Sequence, residues 1–305
     1  MGHTADHPSF HELVAADAPL EPVASGGFAF IEGPLWDRRS GSLLFSDIPA
    51  SVIRRWQDGT VSEWRRPTNL SNALTYDAAG SLLICEHVPP GVRRVRPDGS
   101  EEIMASHWQG RELNSPNDVV ARTDGSVYFT DPPSGRTAEW GVERPQELDF
   151  QGVFRVAPDG GLELIDDQYT VPNGLCLSPD ERTLYVNDSI QAVIRAYELA
   201  PDGSSAGGQV SRGRVVAEGI RNEDLYDGCP DGLKCDVHGN LYCSGPGGVW
   251  VFSPAGERLG VIAAPEFITN FNWGGPDHTE LFLCGFQTLY RLQTNVRGSG
   301  IPGTR

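Results

Sequence analysis

Six polar residues stand at the same place in six successive units of the sequence, and the side chain of each has an oxygen atom that can bind a metal ion. Each unit opens on the polar residue, continues with a short apolar run and an Asp/Gly-rich turn, and ends in a strand that finishes with a polar residue. Two carboxylates and four carboxamides, without His or Cys, favour a hard cation such as Ca²⁺, Mg²⁺ or Mn²⁺. The matched residues are Glu32, Asn72, Asn117, Asn173, Asp231 and Asn270.

A turn role is the alternative for any one of these residues, because Asn and Asp side chains often bond to their own backbone in turns. The shared register favours a common site instead. Glu32 strengthens that interpretation, since Glu is not a turn former. A bound cation would also explain how two carboxylates can share an enclosed place, which is otherwise costly.

The spacing of the six residues predicts the elements that position them. Successive members are 40, 45, 56, 58 and 39 residues apart, which is typical of propeller blades or solenoid turns. Each unit also carries a second hairpin signal, such as residues 52–61 and 153–160, where alternating residues flank an Asp-Gly pair. The sequence therefore predicts an all-β fold, a six-bladed β-propeller with four-stranded antiparallel blades. The first strand of each blade would line the channel, so the six residues would converge there.

One domain is expected, with the propeller at residues 28–297, an N-terminal segment at 1–27 and a tail at 298–305. Within the N-terminal segment, residues 10–14 are predicted to be a strand that completes the last blade, because that blade is one strand short.

Two intervals, 131–148 and 200–229, are longer than a blade needs. Long loops in compact domains are often functional, and we expect these two to rim one mouth of the channel. Plain surface decoration is the alternative.

The net charge and the composition exclude some classes of binding partner. The net charge of −17 argues against nucleic acid or an anionic membrane surface. The first 27 residues hold no apolar run that fits a signal peptide or a membrane span. We expect a soluble monomer or homodimer, cytoplasmic as given, or exported if the chain is a trimmed mature form. The six cysteines are expected to be free, with a Cys229–Cys235 bridge as the alternative in an oxidising compartment.

Familiar catalytic motifs are missing from the sequence. It contains no G-x-S-x-G elbow, P-loop, H-E-x-x-H or dinucleotide fingerprint. His87 follows an apolar strand and could face the channel mouth as an acid–base group, with a purely structural role as the alternative.

Eight short motifs carry a family resemblance. They are 32–36 EGPLW, 44–49 LFSDIP, 85–87 CEH, 113–118 LNSPND, 128–133 YFTDPP, 172–175 PNGL, 230–233 PDGL and 245–250 GPGGVW. Together they resemble the senescence marker protein (regucalcin)/gluconolactonase family, and within it the bacterial gluconolactonases, from about residue 28 to 297. The resemblance implies a six-bladed propeller that hydrolyses sugar lactones with one divalent cation, commonly Ca²⁺, with Mg²⁺, Mn²⁺ or Zn²⁺ as alternatives.

Site residues follow from the same resemblance. It implies Glu32, Asn173 and Asp231 as metal ligands and Asn117 as a substrate contact. Ser115 stands where some members place a substrate-binding Arg, so Arg111 or Asn114 is expected to take that part. The expected substrate contacts are Asn117, Asn114, Arg111, Asn72, His87 and Asn270.

The mechanism expected from these residues is attack of water on a metal-polarised carbonyl, with Asp231 as general base and Glu32 as the second choice. Two other functions stay open. One is a metal-dependent aryl esterase or phosphotriesterase. The other is a non-catalytic binding propeller in which the metal only holds the blades together.

Overall fold

The structure is a computed structural model, and it describes residues 2–206, 212–222 and 227–300. Helix is confined, within these residues, to α1 at Phe10–Leu13 and a 3₁₀ turn at Ser134–Arg136; none of it is long and apolar enough to cross a bilayer. The strands are β1 Thr4–Ala5, β2 Glu21–Ser25, β3 Ile31–Asp37, β4 Ser42–Asp47, β5 Val52–Gln57, β6 Thr60–Arg65, β7 Ser71–Tyr76, β8 Leu82–His87, β9 Pro90–Val95, β10 Glu101–Ala105, β11 His107–Trp108, β12 Arg111–Glu112, β13 Val119–Ala121, β14 Val127–Asp131, β15 Gln151–Val156, β16 Leu162–Tyr169, β17 Pro172–Leu177, β18 Thr183–Asp188, β19 Val193–Glu198, β20 Arg214–Glu218, β21 Leu233–Cys235, β22 Leu241–Gly245, β23 Gly248–Phe252, β24 Arg258–Ala263, β25 Asn270–Gly274, β26 Glu280–Cys284 and β27 Thr288–Gln293.

The described strands form six antiparallel blades, which confirms the predicted six-bladed propeller. Blades one to five are β3 to β6, β7 to β10, β13 to β16, β17 to β20 and β21 to β24, and blade six is β25 to β27 with β2. The short β1 extends the outer edge of blade five, and β11 pairs with β12 between blades two and three. The first strand of each blade packs against the first strand of the next, so these strands surround a central channel.

The N-terminal segment closes the ring, but through a different strand from the predicted one. Residues 10–14 are not a strand: Phe10 and Leu13, three residues apart, lie on one buried face of α1. The closing strand is β2, which pairs with β27 from Glu21 opposite Arg291 to Ser25 opposite Thr288. At the other end, Ser299 donates its backbone N–H to blade five at 2.8 Å. The rest of the predicted tail, residues 301–305, lies outside the described residues.

Apolar side chains fill the space between neighbouring blades. Trp36 of blade one stacks on Phe282 of blade six with ring centroids 5.6 Å apart, and Tyr242 of blade five meets Trp273 of blade six edge-on at 4.8 Å. Each fully buried side chain of this size contributes roughly 1.5–3 kcal/mol. All six cysteines lie within the described residues and each is free, as predicted.

Irregular pairing turns the matched residues away from the regular ladder. The register shifts between Glu32 and Leu35 in β3 and between Pro172 and Leu175 in β17, with a similar shift in β7. Such bulges re-aim a side chain. Asn117 and Asp231 lie outside the regular ladder for a different reason. The first strands of their blades, β13 and β21, begin only two residues after them.

Polar residues at the ends of the second strands fix the site residues of the next blade. Ser46 Oγ donates to the carbonyl of Asn72 at 2.7 Å, and Thr130 Oγ1 donates to the carbonyl of Asn173 at 2.8 Å. Asn187 Nδ2 donates to the carbonyl of Asp231, also at 2.8 Å. The polar strand ends of the sequence repeat therefore hold the channel-facing backbone in place.

Candidate active site

A pocket of about 390 Å³ lies at one mouth of the channel, and the predicted residues meet there. Those of the predicted set that line it are Glu32, Asn72, His87, Asn117, Asn173 and Asp231. They come from five different blades, so the closed ring of strands is what brings them together.

Glu32 is held by two neighbours that both contact the same carboxylate oxygen. The backbone N–H of Gly33 donates to Oε2, and Asn270 Nδ2 donates to Oε2 at 3.0 Å. Glu32 itself is 3 % exposed. These contacts fix the carboxylate and leave Oε1 available to a ligand.

Asn173 presents its amide oxygen because its amide nitrogen is already engaged. Nδ2 donates to Ser189 Oγ at 3.1 Å, and that hydroxyl donates in turn to the carbonyl of Pro230 at 2.6 Å. Oδ1 of Asn173 is buried and has no hydrogen-bond partner among the described residues. A buried acceptor without a partner is costly, so this oxygen is free to bind a ligand of the pocket.

Two acidic groups share this enclosed place. Burial raises the pKa of Glu32, and the nearby Asp118 raises it further. Burial also raises the pKa of Asp231, and the negative charges of Glu32 and Asp118 add to the effect. Glu32, Asp231 and the free oxygen of Asn173 are the groups that would hold a divalent cation, and its charge would offset this repulsion. The residues present therefore fit a hard cation.

His87 and Cys229 also line the pocket, and neither is charged near neutral pH. Burial lowers the pKa of His87 to about 4, so its imidazole is neutral. Nε2 of His87 lies 3.4 Å from Asn72 Nδ2. Burial raises the pKa of the Cys229 thiol to about 12, which leaves little thiolate to act as a nucleophile.

Three residues of the expected substrate set have other partners. Asn270 orients Glu32, as described above. Asn114 Nδ2 donates to the carbonyls of Asp131 and Phe150 at 3.1 and 2.9 Å. Arg111 lies 3.5 Å from Asp149 on the surface. Arg111, Asn114 and Asn270 are not among the described residues that line the pocket.

The structure adds an ion pair that the repeat did not single out. Asp118, next to Asn117, lies 3.3 Å from Lys234 Nζ and accepts the N–H of Val119 at 2.8 Å. Lys234 is the only lysine in the sequence. The pair lines the cavity at the other end of the channel, and its proximity to both Glu32 and Asp231 is visible in their pKa shifts.

Apolar residues form most of the pocket wall, and these were not predicted individually. One signal was available, because interval 131–148 was expected to rim a channel mouth and it supplies Trp140. The other wall residues stand near the ends of the first and second strands of their blades. The apolar wall consists of Phe30, Ile48, Trp140, Val171, Ile190, Phe267 and Phe286.

Comparison with known proteins agrees with this geometry. The model of the SMP-30/Gluconolactonase/LRE-like region matches residues 30–286, which is most of the chain. The chain belongs to this family. The SMP-30/gluconolactonase fold therefore accounts for both the ring of blades and the channel, and the resemblance inferred from the eight motifs is confirmed.

Relatives within the SMP-30/gluconolactonase family span nearly the whole chain. The gluconolactonase of Zymomonas mobilis is 33 % identical, over 95 % of this chain and 85 % of that protein. Bovine regucalcin is 29 % identical over 83 % of this chain and 81 % of its own length. A solved gluconolactonase from Xanthomonas campestris superimposes with a TM-score of 0.84 at 31 % identity, covering 96 % of this chain and 95 % of the other.

Proposed function

We propose that the chain opens a lactone ring at this pocket, with Glu32, Asn173 and Asp231 holding a divalent cation. Family membership and the identity to the Zymomonas gluconolactonase make the chain an enzyme, a lactone hydrolase of the gluconolactonase type. The observation that supports the metal-dependent form is that two mutually repelling carboxylates and an unpartnered amide oxygen line the same pocket. Ca²⁺ is our first candidate, with Mg²⁺, Mn²⁺ and Zn²⁺ as alternatives.

Bound at this place, a divalent cation supplies Lewis-acid polarisation of the lactone carbonyl. The general base is assigned to Asp231, because residue 231 lines the pocket and keeps some exposure, whereas Glu32 is almost fully buried and already accepts two hydrogen bonds. Asp231 takes one proton from water as the water oxygen bonds to the carbonyl carbon. That proton then passes to the ring oxygen as the ring C–O bond breaks, and the product is a hydroxy acid.

Neutral groups hold the polar edge of the substrate. Asn117 and Asn72 line the pocket beside the ligand residues, and their carboxamides can donate to or accept from substrate oxygens. His87 contributes as a neutral imidazole, because its low pKa keeps it uncharged at pH 7. Asn270 and Ser189 act through the ligands, the first by fixing Glu32 and the second by fixing Asn173.

The test is lactone hydrolysis by protein that has been stripped with a chelator and resupplied with one cation at a time. D-Glucono-1,5-lactone is the first substrate, proton release is the readout, and spontaneous opening is subtracted. We expect activity to vanish on stripping and to return with Ca²⁺. No turnover of any lactone with any cation, on folded protein, would contradict the proposal and direct the search to aryl esters and phosphotriesters.

Asp231→Asn tests the base assignment. We expect kcat to fall by roughly 10²–10⁴-fold at saturating metal, which is the usual contribution of a general base. Asp277→Asn is the matched control, since Asp277 is an exposed turn residue. Metal content must be measured for both variants. A metal-loaded Asp231→Asn enzyme with full activity would remove Asp231 from the mechanism.

A further inference from the structure

The pocket divides into a polar floor and an apolar wall. The floor holds the carboxylates, carboxamides and imidazole described above. Apart from Cys229, the wall residues with polar side-chain atoms, among the described residues lining the pocket, are Ser134, Glu139, Ser189 and, through its indole N–H, Trp140. The Ser189 hydroxyl already has two hydrogen-bond partners, because it accepts from Asn173 Nδ2 and donates to the carbonyl of Pro230. The phenylalanine and aliphatic side chains that make up the rest of the wall offer no hydrogen bond to a substrate.

Aromatic rings from four separate segments make one continuous part of this wall. The ring centroids of Phe30 and Trp140 lie 4.7 Å apart, and those of Phe30 and Phe286 lie 5.4 Å apart. Phe267 meets Phe286 edge-on at 5.7 Å. Mutual packing of this kind fixes the rings before any substrate arrives.

Aliphatic residues complete the wall, and backbone hydrogen bonds hold them. Asp188 accepts the N–H of Val171 at 3.1 Å through Oδ2 and the N–H of Ile190 at 2.8 Å through Oδ1. Ile48 donates its N–H to the carbonyl of Phe30 at 3.0 Å. Ile190 nevertheless remains 43 % exposed, which leaves apolar surface at the mouth for a ligand to cover.

The separation of a polar floor from an apolar wall should distinguish hydroxylated lactones from lactones with alkyl or aryl substituents. Hydroxyl groups pressed against the phenylalanine and aliphatic side chains of the wall would lose their hydrogen bonds to water and gain none there, which lowers affinity. An alkyl or aryl group in the same position would remove apolar surface from water on both partners, which raises affinity. The floor can accommodate the ester group of either kind of lactone.

We propose that the preferred substrates are lactones whose ring carries an alkyl or aryl substituent, with the ester group on the floor and the substituent against the wall. This inference rests on the proposed function, because it concerns the same site. Ile190 is a specificity-determining residue in this arrangement, since its side chain is the most exposed apolar part of the wall.

The first experiment compares kcat/KM of the metal-loaded enzyme for two lactones with the same ring. δ-Decalactone carries a pentyl chain and δ-valerolactone carries none; D-glucono-1,5-lactone and dihydrocoumarin are measured beside them. We expect δ-decalactone to exceed δ-valerolactone and the glucono-lactone by at least about 10-fold, because even one methylene in an apolar pocket is worth roughly 10-fold or more. A glucono-lactone preference, or equal values for the two δ-lactones, would overturn the inference.

The second experiment uses a matched pair of variants. Ile190→Asn removes apolar wall, whereas Ile103→Asn changes an isoleucine of similar exposure, 46 %, on β10 away from the pocket. We expect Ile190→Asn to lower kcat/KM for δ-decalactone by about 5-fold or more and for δ-valerolactone by less than about 2-fold. Ile103→Asn should change neither value. Equal losses on both lactones would refute the role of Ile190.

Failure of the inference differs from failure of the proposed function. Metal-dependent opening of glucono-lactone without any preference for substituted rings would leave the lactonase standing and remove only the substrate class. Absence of metal-dependent hydrolysis for all four lactones would remove both.

Discussion

The asparagines at matched positions of the sequence repeat make different contacts around this pocket. Asn173 exposes its oxygen because Ser189 holds its nitrogen, while Asn270 uses its nitrogen on Glu32 and its oxygen on the N–H of Phe271. The repeat predicted that these residues meet around a channel. It could not assign their tasks, because the direction of an amide depends on partners that are distant in sequence.

Three of the six residues expected to contact substrate, Arg111, Asn114 and Asn270, are not among the described residues that line the pocket. Arg111 and Asn114 were expected to replace an arginine that the family resemblance placed at Ser115. In the structure, Ser115 Oγ binds the carbonyl of Pro132 at 2.5 Å and the N–H of Gly135 at 2.9 Å. This part of the chain therefore supports the loop that carries Trp140. The wall was missed because apolar residues at strand ends have no pattern that separates pocket from core.

His87 should make the protein less stable in acid. Its folded pKa of about 4 lies below the unfolded value of about 6.5. The unfolded chain therefore binds the proton first, and stability that is complete above pH 6.5 is lost as the pH falls toward 4. The loss from this residue is at most about 3 kcal/mol.

Chemical denaturation of the wild type and His87→Gln at several pH values measures this contribution. We expect the variant to lose less unfolding free energy than the wild type between pH 6.5 and 4. His238→Gln, at an exposed histidine, should behave like the wild type. Identical pH slopes for wild type and His87→Gln would refute the assignment.

At the scale of single elements, the inner strands depend on close approach between blades. A Cβ on Gly174 would lie 2.2 Å from the carbonyl oxygen of Asp231, and one on Gly33, whose φ is +59°, would lie 2.4 Å from that of Asn72. Both contacts involve backbone, which cannot move aside cheaply. The glycine that follows a site residue thus lets one blade reach the site residue of the next.

Gly174→Ala should push blades four and five apart at Asn173 and Asp231, two of the proposed metal ligands. Overpacking in a dense interior costs about 1–3 kcal/mol, and we expect about 3 kcal/mol here with weaker metal binding. Denaturation and metal titration measure the two effects. Gly161→Ala is the control, because the nearest neighbour of its new Cβ is the side chain of Asp159 in an exposed hairpin. Wild-type stability and metal affinity in Gly174→Ala would contradict this account.

Strands could be predicted best where alternating apolar and polar residues flank an Asp-Gly turn, and less well where only one of these two signals is present. Most blades combine alternating residues with Asp-Gly turns, and their strands were placed well. The closing strand β2 reads Glu-Pro-Val-Ala-Ser, which is short, weakly apolar and contains a proline. Proline is tolerated on an outer edge strand, but it removes the sequence signal. The more apolar residues 10–14 were chosen in its place, and they fold as α1.

For the whole molecule, the proposed cation is a link between distant parts of the ring. Its ligands belong to blades one, four and five. A ligand that binds only the folded state stabilises it by about 3 kcal/mol at a hundred times its Kd. For a chain of this size we therefore expect chelation to lower Tm by roughly 5 °C.

Thermal melting before chelation, after it and after metal return measures this effect, with bound metal determined by elemental analysis. Recovery of the original Tm with Ca²⁺ would separate metal loss from damage by the chelator. An unchanged Tm on removal of a full equivalent of bound metal would show that the cation does not link the blades.

The pairing of β2 with β27 has a consequence for synthesis of the chain on the ribosome. The strand that leaves the ribosome early, Glu21–Ser25, must wait for Thr288–Gln293 before it acquires its partner. Blade six cannot be completed until almost all of the 305 residues have been translated. During that time the nascent chain carries an open ring with unpaired strand edges, so premature termination near residue 288 should yield an aggregation-prone chain rather than a smaller propeller.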